Sequence, residues 1–269
     1  PAKVTRPPPI IGPPPGGGFV PGGGGPMMGG GRVTFAGDGL ELFKLYLMYA
    51  VGPMLGTYLV VGGIVIVGAL IEQQVRTQGI ISAIATLIGV LILFPALIAI
   101  LSFFAHRFTE FKVRNQRIDG QACEYRGTPG GLGKLMFVNL LLTQITFGIY
   151  GPWAYVNFKK YTYANTLVNG QPGRLTFTGN AGDLLGKYII GTLLTYCTAG
   201  IYVFWFLNDM FAFEWENTQL DGRPFRFNRD PGGLFGALIL NYILTLCTGG
   251  LYSPWMMCNL LKWESERVS

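Results

Sequence analysis

The run LYLMYAVGPMLGTYLVVGGIVIVGALI, residues 45–71, carries no charged side chain at any of its 27 positions. A second run, GIISAIATLIGVLILFPALIAILSFFA over residues 79–105, repeats that length without a charge. A helix needs about 20 apolar residues to cross the hydrocarbon core of a bilayer, so each run can span with room for tilt. Pro53 and Pro95 fall inside the runs, where a proline kinks a membrane helix without forbidding it. The core helix of a soluble protein rarely needs so long an uncharged stretch. The expected class is therefore an all-α, multi-pass membrane protein.

Composition agrees. Of 269 residues half are hydrophobic and only 13% charged, against about 25% in ordinary soluble domains. Mean hydropathy is +0.39. These values argue against a water-soluble enzyme. One histidine and four scattered cysteines exclude most metal, haem and disulfide frameworks, so neither metal nor cofactor is expected. The net charge of +6 is spread along loops flanking apolar segments. There it suits orientation and attraction to anionic lipid headgroups, which makes membrane lipids the expected partners and nucleic acid an unexpected one.

Residues 1–31, PAKVTRPPPIIGPPPGGGFVPGGGGPMMGGG, form a Pro/Gly-rich segment with too little to bury, expected to be a disordered linker of extended and coil conformations. It lacks the apolar core of a signal peptide. Because the chain starts on Pro, an upstream segment is expected. A linker of this kind tethers a protein partner or is a plain tail.

Beyond residue 105 the strongest signal is self-similarity. GTPGGLGKLMFVNLLLTQITFGIYGPW (127–153), GNAGDLLGKYIIGTLLTYCTAGIYVFW (179–205) and RDPGGLFGALILNYILTLCTGGLYSPW (229–255) align without gaps. Thr143, Thr195 and Thr245 coincide, as do Thr146, Thr198 and Thr248. So do the turn residues Gly148/Gly200/Gly250, Tyr150/Tyr202/Tyr252 and Trp153/Trp205/Trp255. The glycine can supply a positive φ, and a following proline can open the next helix. More polar stretches follow, ending ANTLVNG (164–170) and ENTQLDG (216–222), and RNQRIDG (114–120) closes the preceding segment in the same style. RVTFAG (32–37) echoes RLTFTG (174–179). The expectation is a helical transmembrane domain over 32–269 with about eight helices in four helix-turn-helix units, at about 32–122, 123–174, 175–226 and 227–269. The first unit holds the two long spans, and the other three are shorter hairpins.

These motifs, the T-x-GIY-x-PW turn, the ENTQLDG-type ending and the RLTFTG opening, resemble those of the YjgN-like family of uncharacterised bacterial inner-membrane proteins, over roughly residues 32–269. The resemblance implies a bacterial inner-membrane location and brings no catalytic residues. The Pro/Gly extension and the less regular first unit depart from it.

Charge sets the expected topology, because Lys and Arg accumulate on the cytoplasmic side. If each later unit is a hairpin, nineteen of the twenty basic residues fall on one side and Arg76 alone on the other, with both termini cytoplasmic. The later hairpins are too short for two full spans. They are then either re-entrant or carry Lys159, Lys160, Asp209 and Glu214 along a protein-lined face.

The candidate polar intramembrane positions are Thr143, Thr146, Thr195, Thr198, Thr245 and Thr248, with the equivalent Asn157, Asp209 and Asn259. The hydroxyls either line a polar path or bond back to helix carbonyls and neighbouring helices. Asp209, Glu214 and Glu216 either hold a proton or cation or pair with nearby Lys and Arg. Gly148, Tyr150, Trp153, Gly200, Tyr202, Trp205, Gly250, Tyr252 and Trp255 form a candidate interfacial turn, aromatic rings being suited to the water–lipid boundary. Gly182 and Gly186 precede Lys187 but lack the spacing, the hydroxyl residue and the strand of a phosphate loop. With no catalytic constellation, the expected role is non-enzymatic: transport of a small solute or ion, its identity unknown. The alternative is an anchor or scaffold for a tethered N-terminal domain or partner complex.

Overall fold

The computed structural model describes residues 31–75 and 79–269. The linker expected over 1–31 lies, Gly31 apart, outside the described residues, as does Arg76. The described chain is mostly helical. Helix α1 (Gly39–Tyr46) runs through a π-helical turn, Leu47–Val51, into α2 (Gly52–Val75). Next comes α3 (Ile80–Arg114), with Pro95 inside it. The continuous helix Gly39–Val75 and α3 are both long and apolar enough to cross a membrane. They pack along each other and turn most of their apolar surface outward.

Three shorter pairs follow: α4 (Pro129–Ile145) with α5 (Gly151–Ala164), α6 (Ala181–Cys197) with α7 (Val203–Glu216), and α8 (Pro231–Cys247) with α9 (Ser253–Ser265). The first helix of each pair starts on a side-chain cap, which satisfies an amide that the helix itself cannot. Thr128 accepts from the Gly131 amide (3.1 Å), Asn180 from Gly182 (3.2 Å) and Asp230 from Gly233 (2.8 Å).

Each pair turns through the same closure. The amide of Gly148 donates to Thr143 O, Gly200 to Thr195 O and Gly250 to Thr245 O, each at 2.8 Å. The glycines stand at φ 89°, 91° and 92°. This is the six-residue closure of a Schellman motif, which needs a left-handed residue. The preceding residue is left-handed too: Phe147 and Ala199 at φ 50°, Gly249 at 59°.

The second helix of three successive pairs ends on an asparagine whose side-chain amide bonds back by one turn, Asn115 to Phe111 O, Asn165 to Tyr161 O and Asn217 to Phe213 O. A short strand follows each time, and here the all-α expectation is corrected. Strands β1 (Val33–Phe35), β2 (Gln116–Ile118), β3 (Gln121–Tyr125) and β4 (Thr166–Val168) form one antiparallel sheet in that order. Strands β5 (Leu175–Phe177), β6 (Thr218–Leu220) and β7 (Arg223–Pro224) form another. Asp119-Gly120 and Asp221-Gly222 both have positive φ at each residue, the signature of type I′ hairpin turns, and Asn169-Gly170 has the same backbone.

Strand pairing clasps the helix pairs. β1 pairs with β2 across the long helices, β3 with β4, β5 with β6, and Phe227 bridges Val268 across the last pair. Successive helices are neighbours, and α9 packs on α1, so the circuit closes. The main core lies toward the strand end, around Val113, Ile118, Tyr163, Val168, Phe177, Trp215 and Phe225. Toward the turn end apolar side chains point outward, among them Ile145, Phe147, Ile190, Leu193, Leu240 and Leu246.

Candidate functional site

Counting back three residues from Asn115, Asn165 and Asn217 gives Lys112, Thr162 and Glu214, and the same place in α9 is Glu264. Each sits near the end of its helix. All four line one cavity of about 360 Å³ enclosed mainly by α3, α5, α7 and α9, with Lys159 one turn before Thr162. The cluster therefore holds two cations and two carboxylates.

Glu214 is fully engaged. Its Oε1 lies 2.5 Å from Lys159 Nζ and accepts from Tyr163 OH at 2.6 Å, while Oε2 accepts from Tyr155 OH at 3.0 Å. Lys159 also stands 5.2 Å from the Tyr155 ring centre, within cation–π range. Glu264 is engaged on one side only. Its Oε1 accepts from Trp215 Nε1 at 2.7 Å and lies 3.5 Å from Lys112 Nζ. Its Oε2 has no hydrogen-bond partner among the described residues, and neither has Thr162 Oγ1. Lys112 stands 3.8 Å from Glu214. Both carboxylates are only 2% exposed, so their charges survive burial only because cations face them. The rest of the wall is aromatic and aliphatic, including Phe158, Tyr188, Phe206, Phe211 and Met257.

The positions singled out from sequence lie elsewhere. Thr143, Thr195 and Thr245 donate to the carbonyls of Asn139, Gly191 and Asn241, one turn back. Thr146, Thr198 and Thr248 donate to Leu142, Leu194 and Leu244 and accept from the amides of Tyr150, Tyr202 and Tyr252 at 2.9–3.1 Å. One hydroxyl thus links the end of the first helix of a pair to the tyrosine amide that precedes the second. Asn157 donates to Asn139 Oδ1 (3.1 Å) and Asn259 to Asn241 Oδ1 (3.2 Å), amide bridges across the hairpin. Asp209 is half-buried on α7. Tyr150 stacks on Trp153, Tyr202 on Trp205 and Tyr252 on Trp255, with centroids 5.7–6.1 Å apart. Of the residues weighed from sequence, Glu214 and Lys159 reach the cavity. Lys112, Glu264, Tyr155, Tyr163 and Trp215 were missed; the signal for three of the lining positions is their fixed offset from the helix-ending asparagines.

The strand layer carries its own polar contacts. Arg174 holds Asp221 through its guanidinium, and Arg267 holds Asp230 at 2.9 Å. Both carboxyls are thereby kept below the usual range. Burial pushes the Cys123 thiol on β3 up to about 11.

Comparison with known proteins fits this picture. The family described as "Bacterial protein of unknown function (DUF898)" matches twice, over residues 120–173 and 172–240. "Inner membrane protein YjgN" of Salmonella typhimurium is 44% identical over 57 residues, 21% of this chain and 14% of the relative. That of Escherichia coli K12 is 47% identical over 55 residues, 20% and 14% respectively. The matched stretch thus spans about one seventh of the length of these curated relatives. No solved structure matches. The relatives are inner-membrane proteins, which supports the inner membrane as the location of this chain. The paired matches together run over residues 120–240, and over that stretch the chain is similar to this family of bacterial proteins and to its inner-membrane relatives.

Proposed function

We propose that the chain is a non-enzymatic, multi-pass inner-membrane protein that binds a small solute or ion in the cavity between α3, α5, α7 and α9 and passes it across the membrane. The observation that carries this reading is the charged lining of that cavity. Buried ion pairs stabilise little compared with apolar packing of the same volume, so a bundle that only anchors something has no need of two lysines and two glutamates around a space.

Both termini are cytoplasmic in this reading. In this reading the strand layer and the basic residues of the described chain face the cytoplasm, in keeping with the bias of Lys and Arg. The exposed apolar side chains of α2, α3, α4, α6 and α8 face lipid. Four related units surround the site, each a helix, a turn and a helix, flanked by strands in the first three and by the Phe227–Val268 bridge in the last.

A second reading, an anchor or scaffold for a tethered N-terminal domain or partner complex, is favoured by one observation. The hairpin threonines spend their hydroxyls within the backbone, so they offer no polar path toward the turns.

Accessibility separates the two. In a cysteine-free background, Leu207→Cys and Met257→Cys each place a thiol in the cavity wall. A charged thiol reagent is applied to right-side-out and to inverted vesicles. Modification from both sides is expected of a transporter. Modification from the cytoplasmic side alone overturns transport and leaves the anchor.

A further inference from the structure

Glu264 and Lys112 are the two members of the cluster with capacity to spare. Glu264 Oε2 is buried without a donor among the described residues, and an unmet charged acceptor is costly to bury. Lys112 stands off at 3.5 and 3.8 Å from its carboxylates, whereas Lys159 closes on Glu214 at 2.5 Å. Lys112 is also 21% exposed, the most open of the four charges. A ligand that donates to Glu264 and accepts from Lys112 would complete both.

Charge balance narrows the class. The cluster already carries two positive and two negative groups. A lone cation or lone anion would add an uncompensated charge to a buried site, which is unfavourable. A zwitterion adds none. Lys112 Nζ lies 3.5 Å from Oε1 of the Glu264 carboxylate, and heads this close suit an ammonium and a carboxylate carried on one carbon rather than at opposite ends of a chain. The walls beyond them, Phe158, Phe206, Phe211 and Met257 among them, would cover an apolar side chain, and the volume lies in the range of small-ligand sites.

We propose that this cavity binds an apolar α-amino acid, its ammonium donating to Glu264 Oε2, its carboxylate accepting from Lys112 and its side chain lying against the aromatic wall. The assignment rests on reading the cavity as a solute site and names the class of that solute.

The test is equilibrium binding by calorimetry to the purified full chain in detergent, with L-leucine and L-phenylalanine as probes. The controls are 2-phenylethylamine, which lacks the carboxylate, and 3-phenylpropionate, which lacks the ammonium. At least one amino acid is expected to bind, with both controls weaker by tenfold or more. Glu264→Gln keeps the shape and is expected to lose at least tenfold for the amino acid. Its thermal unfolding is recorded beside the binding. The comparison of ligands on the unaltered chain stands whether or not that variant folds. No binding of either amino acid, or equal binding of a control, overturns the assignment. Binding without two-sided thiol access leaves the assignment standing and removes transport. Two-sided access without amino-acid binding does the reverse.

Discussion

Lys159 Nζ lies 2.5 Å from Glu214 Oε1, joining α5 to α7 in a place where Glu214 is 2% exposed and Lys159 13%. Two charges so placed are worth little as a pair but much as partners, since removing one strands the other. Lys159→Met should therefore destabilise the protein by about 3–5 kcal/mol. Adding Glu214→Gln to it should recover much of that loss, because the neutral amide needs no counter-charge. Thermal unfolding of the two variants in detergent checks this. A single variant that melts with the wild type would show that water or Lys112 already compensates Glu214.

A hydroxyl that serves two helices at once makes the second prediction. Thr198 Oγ1 donates to Leu194 O at 2.8 Å and accepts from the Tyr202 amide at 2.9 Å. Thr198→Val keeps the shape and removes the acceptor, so the Tyr202 amide at the start of α7 loses its partner, at about 0.5–1.5 kcal/mol. The effect should appear in thermal unfolding, with no change in the accessibility of cavity thiols. A change in that accessibility with unchanged stability would instead give Thr198 a role in access to the cavity.

Much of this architecture is legible in the sequence, and the omissions have physical causes. The long helices announce themselves by 27 uncharged positions each, and the hairpin turns by Thr, Gly, Tyr and Trp at fixed offsets. The strands do not, because three residues such as Val33–Phe35 are too few to show alternation. Their better signal was the left-handed pair Asp221-Gly222 and its equivalents, which mark hairpins rather than mere unit ends. The cavity was harder still. Position-equivalent residues there are Lys112, Thr162, Glu214 and Glu264, so a comparison that rewards identity passes over the one place where difference in charge matters. The repeated threonines, conspicuous for their identity, are turn-builders in the structure.

Burial of a thiol gives a chemical prediction. Cys123 is 6% exposed, and burial, only partly offset by a backbone hydrogen bond around Ile118, pushes its thiol up to about 11. At pH 8 roughly one molecule in a thousand carries the reactive thiolate. With the other three cysteines replaced, maleimide labelling of Cys123 at pH 8 should be at least a hundredfold slower in the folded protein than in denaturant, and should speed up toward pH 10. Equal rates in the folded and unfolded states would place the β3 edge open to solvent.

Asp230 ties the last helix pair to the end of the chain, and it does so only while ionised. Its Oδ2 accepts from Arg267 at 2.9 Å, and its Oδ1 accepts from the Gly233 amide at 2.8 Å. Arg267 first, and that amide second, hold its carboxyl below the ordinary aspartate value, which is about 3.9 in an unfolded chain. A depressed carboxyl stabilises the folded state above the unfolded value, and the contribution disappears as pH falls through the folded value. The element at stake is small: Ser269 and Arg226 exchange two backbone hydrogen bonds at 2.7 and 3.0 Å beside the Phe227–Val268 bridge. Hydrogen exchange at the Ser269 amide, corrected for the intrinsic pH dependence, should lose protection as pH drops from 5 toward 2. Asp230→Asn should show that loss already at pH 7, because the amide keeps the cap geometry without the charge that holds Arg267. Protection that is flat with pH in the wild type would mean that the strand pairing, and not the ion pair, holds the chain end in place.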